Sequence, residues 1–142
     1  MNENQIDTQL IISIAQKAKG LKLLYVEDNE LAREATLETL NVFFKDIVVS
    51  VNGQEGLDSF KENNFDLIIT DINMPKMNGI DMIKNIRELN SEIKIIVLSA
   101  HDDPEYFKTA TEFQVEGYLL KPIHLTNLVT LLERTLESIT QS

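Results

Sequence analysis

A chain of 142 residues, 43% hydrophobic and 25% charged, has the size and balance of one folded domain, and this composition argues against disorder. Its formal net charge of −10, from 23 acidic and 13 basic residues, repels nucleic-acid phosphates and anionic lipid, which argues against direct binding to either. There is no cysteine, which excludes disulfides, thiolate catalysis and zinc–thiolate sites, and no stretch approaches the roughly 18 apolar residues of a membrane span.

Ile6, Leu10, Ile14 and Ala18 fall at helical spacing and predict a short amphipathic helix within residues 1–20. Three readings of it stay open: packing on its own domain, contact with a second copy or another domain, and fraying in solvent. Its apolar run from Leu10 to Ala15 is broken by Ser13 and preceded by Glu3 and Asp7 rather than by Lys or Arg, which does not suit a signal peptide. A cytoplasmic location is the expectation.

From there the chain alternates. The apolar runs Lys22–Val26, Ile47–Val51, Asp66–Thr70, Lys94–Leu98 and Gly117–Leu120 are mostly continuous, and several are rich in β-branched residues. That pattern suits strands buried on both faces of a parallel sheet. Helical periodicity lies between and after them. Leu31, Ala35, Leu40 and Phe43–Phe44 mark one helix, and Gly56, Leu57 and Phe60 a shorter one. Ile80, Ile83, Ile86 and Leu89 mark a third, Phe107, Ala110 and Phe113 a fourth, and Leu125, Leu128, Leu132 and Leu136 the last. Five alternations predict a doubly wound α/β domain over residues 21–138, with 1–20 as a helical extension and 139–142 as a tail.

Open parallel sheets bind ligands beyond the carboxyl ends of their strands. Glu27, Asp28 and Asn29 follow the first strand and Asp71 to Pro75 the third. Ser99 and Ala100 follow the fourth, and Lys121–Pro122 the fifth. Each alone reads as an ordinary turn, cap or surface residue. Together, at one edge of one sheet, they predict a pocket. Three crowded carboxylates repel one another, and a hard divalent cation with oxygen ligands, Mg²⁺ best of all, relieves that repulsion. A lysine and a hydroxyl beside them suit a phosphoryl group.

At these residues the sequence resembles the receiver domain of two-component response regulators. The phrases that carry the resemblance are Leu24–Asn29, Asp66–Pro75, Met77–Gly79, Val97–Ala100 and Gly117–Pro122, within roughly residues 20–140. The resemblance implies a five-stranded flavodoxin-like fold of strand order 2-1-3-4-5, with five helices besides the N-terminal one. It implies that Asp71 is the phosphoacceptor and that Asp28, Asp71 and the backbone carbonyl of Asn73 ligate Mg²⁺ (Mn²⁺ can substitute), with Glu27 acting through water. Ser99 would hydrogen-bond the phosphoryl group, Lys121 would pair with it, and the Lys121–Pro122 bond would be cis. Ser99 and Tyr118 would form the switch, read out on the fourth helix, fifth strand and fifth helix. Asn73 and His101 would tune dephosphorylation, although His101 taken alone reads rather as a solvated residue opening the next helix. The implied partners are a sensor histidine kinase or phosphotransfer protein, and a downstream effector protein or domain. A homodimer is compatible.

The implied protein is a signalling domain that assists its own phosphorylation and dephosphorylation, not an enzyme acting on an external substrate. A Mg²⁺-dependent aspartyl-phosphate phosphatase of the haloacid dehalogenase type wants a second Asp two residues after the nucleophile, where this chain has Asn73. A flavodoxin-like cofactor module wants a phosphate loop where Glu27–Asp28 would repel phosphate. A receiver-fold interaction module independent of phosphorylation is the remaining alternative. A single-domain regulator and one module of a longer regulator or hybrid kinase both stay open.

Overall fold

The computed structural model describes residues 7–100, 108 and 111–140. In chain order the elements are α1 (Thr8–Ala18), β1 (Lys22–Val26), α2 (Glu30–Phe43), β2 (Asp46–Ser50), α3 (Gly53–Glu62), β3 (Leu67–Asp71), α4 (Gly79–Leu89), β4 (Lys94–Ser99), β5 (Gly117–Leu120) and α5 (Leu125–Thr140). The helix expected around Phe107, Ala110 and Phe113 lies largely outside the described residues, although Lys108, Thr111 and Glu112 are helical.

All strand pairs are parallel and their order is β2-β1-β3-β4-β5, as the resemblance implies. Side chains alternate across the sheet. Leu23 and Tyr25 of β1, Leu67 and Ile69 of β3, and Ile96 and Leu98 of β4 share one core with α1, α2 and α5. Leu24, Val26, Ile68, Ile95 and Val97 share the other with α3 and α4. Burial on both faces holds for β1, β3 and β4. It fails for both edge strands: β2 has one exposed and three half-buried residues, and β5 one exposed and two half-buried. An edge strand has no neighbouring strand on one of its two sides, so a continuous apolar run there does not mean full burial.

Helix starts are set by short polar side chains. Asp7, Asn29, Asn52 and Asn78 each accept a hydrogen bond from a backbone N–H two or three residues on, satisfying a donor the helix would leave orphaned. Three of these caps stand at the carboxyl edge of the sheet, where they turn the chain sharply out of β1, β2 and the loop after β3.

α1 packs against α2 and α5, with Ile14 and Ala18 wholly buried, which selects the first of the three readings of this helix. Other expectations need correction. The second strand runs from Asp46 to Ser50, leaving Val51 outside it and 39% exposed. Leu31, Leu89 and Leu125 belong to helical apolar stripes but are exposed, Leu31 by 79%. All three lie at helix ends, where a helix overruns the sheet it covers and its stripe loses its partner.

Candidate functional site

The site is built at the carboxyl ends of β1, β3, β4 and β5. Asp71 and Ser99 are the last residues of their strands rather than the first beyond them, and both are buried. Glu27 follows β1 directly and is wholly buried, whereas Asp28 is exposed. One carboxylate oxygen from each of Glu27, Asp28 and Asp71 can be chosen so that all lie within 4.8 Å of one another.

Lys121 reaches across from the end of β5. Its ammonium donates to Asp71 Oδ2 at 3.1 Å and to Glu27 Oε1 in a closer contact. Its backbone N–H donates to the Ser99 carbonyl at 2.7 Å, tying the two strand ends together. The Lys121–Pro122 peptide is cis, as the resemblance implies. The other Asp71 oxygen, Oδ1, accepts from the Ile72 N–H at 2.7 Å.

Burial pushes the Glu27 carboxyl above its ordinary pKa. The hydrogen bond from Lys121 opposes that rise, and the neighbouring Asp71 adds to it. Burial also works against the Lys121 ammonium, but its hydrogen bond to Glu27 and the charge of Asp71 outweigh it and hold the lysine above its ordinary value. Beneath the site, burial pushes the Tyr25 phenol up. Thr36, close by but short of a completed hydrogen bond, opposes, and the charges of Glu27 and Asp71 add.

Sequence reasoning gives no role to two supports. Arg33 on α2 donates through Nη1 to the carbonyls of Glu27 (3.1 Å) and Asp28 (3.3 Å), holding the acidic turn from behind. Gly79 sits so close that a Cβ on it would lie 2.1 Å from the Asp71 carbonyl oxygen. The glycine opening the helix was a usable signal, whereas nothing in the spacing marks Arg33. Of the other expected residues, Asn73 is exposed two residues beyond Asp71, Tyr118 is half-buried on β5, and His101 lies outside the described residues.

The profile of the family described as response regulator receiver domain matches residues 23–133. The chain belongs to that family. An uncharacterized response regulatory protein of Staphylococcus epidermidis is 33% identical over 115 residues, which are 79% of this chain and 45% of that protein. The transcriptional regulatory protein HptR of Staphylococcus aureus is 31% identical over 121 residues, 83% of this chain and 47% of that protein. The receiver domain thus spans about half the length of these curated relatives. Among solved structures, the N-terminal domain of an uncharacterized Wolinella succinogenes protein superposes with a TM-score of 0.79 at 34% identity, over 87% of this chain and 100% of that one. A CheY-like receiver domain from Methanospirillum hungatei reaches the same TM-score at 21% identity, over 86% of this chain and 98% of that one, and so shares the fold.

Receiver domains are phosphoacceptor signalling domains of two-component systems, working with histidine kinases and effectors and binding Mg²⁺ at an acidic pocket. The donors here fit such an ion, being carboxylate oxygens, two of them on buried residues. Among the described residues no helix is long and apolar enough to cross a membrane.

Proposed function

We propose that Asp71 accepts a phosphoryl group from a phosphohistidine on a sensor kinase or phosphotransfer protein, or from a small acyl phosphate. The observation that carries this reading is the placement of Asp71. Its carboxylate is nearly buried at the end of the central strand, oriented by the Ile72 N–H and Lys121, and crowded by Glu27 and Asp28. A carboxylate oxygen of Asp71 attacks phosphorus, the bond from phosphorus to the donor breaks, and the donor leaves with its electron pair. Lys121, poised between Glu27 and Asp71, moves onto a phosphoryl oxygen, and the Ser99 hydroxyl donates to another. Asp28, Asp71 and the Asn73 carbonyl would hold Mg²⁺ or Mn²⁺, with Glu27 acting through water. When bound, the ion neutralises the charge that gathers on carboxylates and phosphoryl oxygens.

Tyr118 supports the reading of the output. It lies two residues before Leu120, which pairs with Ser99, and it lines a cavity of about 630 Å³ with Leu120, Asn127, Leu131 and Arg134. Movement of Ser99 toward a phosphoryl group would draw Tyr118 inward and reshape the surface of β5, α5 and the helix expected around Phe107, Ala110 and Phe113 for an effector or a second copy. In this reading residues 21–138 are the signalling unit, 1–20 its helical extension and 139–142 a tail. The domain works in the cytoplasm and releases its phosphoryl group to water at a rate that Asn73 and His101 tune.

Intact mass after incubation with acetyl phosphate and Mg²⁺ tests the proposal. One added phosphoryl group, dependent on Mg²⁺ and absent from Asp71→Asn, is the expected result. No addition, together with no stable binding of beryllofluoride, would sink it in favour of an interaction module independent of phosphorylation.

A further inference from the structure

The loop from Ile72 to Asn78 leads out of Asp71, carries Asn73 and enters α4. It is held at two points. Where it ends, the Gly79 N–H donates to the Ile72 carbonyl at 2.7 Å and closes the loop on itself. Two residues before that, the Met77 carbonyl accepts a 2.9 Å hydrogen bond from the N–H of Gly53, the first residue of α3. A helix leaves its first amides without internal partners. Asn52 serves one of them by accepting from Glu55 N–H, and the loop serves Gly53.

This contact leaves no room for a side chain. A Cβ on Gly53 would stand 2.1 Å from the Met77 oxygen and 2.8 Å from its carbonyl carbon. The backbone of Gly53 is not left-handed, so space and not torsion demands the glycine. Nor is α3 free to retreat. Gly56 lets it lie against Val26 of β1 and Met82 of α4, and Leu57 is buried in the same core.

We propose that Gly53 is a positioning residue for the acidic site. By letting the start of α3 grip the Met77 carbonyl, it fixes the loop that presents the Asn73 carbonyl beside Asp71. The inference rests on the reading of Asp71 and Asn73 as cation ligands. It also reverses a sign. Alanine is the better helix former, so propensity alone makes Gly53→Ala neutral or stabilising. The clamp makes it harmful, and harmful to the loop first.

The test uses the full chain as wild type, Gly53→Ala and Leu57→Ala, with Mg²⁺ affinity from titration calorimetry and thermal midpoints from circular dichroism. Gly53→Ala should weaken Mg²⁺ binding by about tenfold, the size of loss typical when a group supporting a ligand is disturbed. Phosphorylation by acetyl phosphate should recover at saturating Mg²⁺. Leu57→Ala, a cavity in the same helix, should lower the midpoint and leave the Mg²⁺ affinity of folded protein within about twofold. Wild-type affinity in Gly53→Ala overturns the proposal alone, whereas a wild type that binds no Mg²⁺ overturns the reading of the site and the proposal with it. Should Gly53→Ala not fold, amide exchange in the wild type decides. By linkage, saturating Mg²⁺ should slow exchange of the Gly53 N–H by about tenfold relative to Gly56. An unchanged ratio overturns the proposal.

Discussion

The two edges of the sheet handle charge in opposite ways. At the amino edge charged groups find local partners. The Lys22 ammonium donates to the Asn63 side chain at 3.0 Å, and the Lys22 N–H to Asp66 at 2.8 Å. Lys94 pairs with Glu116 at 3.4 Å. Arg87 spreads its guanidinium over the carbonyls of Phe113, Asn90, Ile93 and Gln114, joining α4, β4 and the chain before β5. At the carboxyl edge Lys121 is shared between Glu27 and Asp71, while Asp28 crowds them. The first arrangement serves stability. The second leaves an excess of negative charge that a bound cation would relieve.

Substitutions should separate the two edges. The largest effect is expected from Asp71→Asn, which should abolish phosphoryl uptake by intact mass while leaving the thermal midpoint without Mg²⁺ equal or higher, because one crowded carboxylate is gone. A clear loss of stability would break the comparison. Lys121→Met should slow phosphorylation by about 10²-fold, as loss of one charge-stabilising donor does. It should also destabilise the apo protein by roughly 2–3 kcal/mol in urea, by leaving Glu27 buried without its partner. Added Mg²⁺ should recover part of that loss.

Arg87→Ala should cost roughly 2 kcal/mol, as expected when several carbonyls lose a charged donor. It should leave the phosphorylation rate of folded protein unchanged, and a matching fall in rate would show that the edges are not independent. Alkaline titration should give a smaller effect. The folded pKa values of Tyr25 and Lys121 both lie above their ordinary values of 10.0 and 10.5. A raised folded pKa means stability that is complete below the unfolded value and drains away as pH climbs toward the folded one. Urea midpoints should therefore fall above about pH 10, and Tyr25→Phe should blunt the fall. Lys94→Ala, which breaks a partly exposed pair, should cost about 0–1 kcal/mol, and less in high salt.

The candidate site was legible to an unusual depth because its residues stand at strand ends, and strand ends follow from where apolar runs stop. Glu27, Asp28, Asp71 and Lys121 could be nominated one run at a time. Arg33 could not, because an arginine one turn into a charged helix looks like any solvated arginine until the helix is folded back over β1. Gly53 reads as a poor helix former at a helix start, and its use emerges only where a loop 24 residues farther on touches it. The same limit explains Leu31. Periodicity identifies the face of a helix but not how far the sheet beneath it extends.

By itself the sequence determined five strands, the alternation that winds them, and the polar residues that end them, since these follow from local patterns of apolar and polar side chains. Tertiary structure alone decided the rest. It showed that β2 is half-exposed, that α1 is part of the core, that Lys121 divides itself between Glu27 and Asp71, and that the loop after Asp71 is gripped by α3. Those outcomes depend on distances between segments far apart in the chain. Such distances are set by how helices and strands stack, which a pattern read along one segment does not contain.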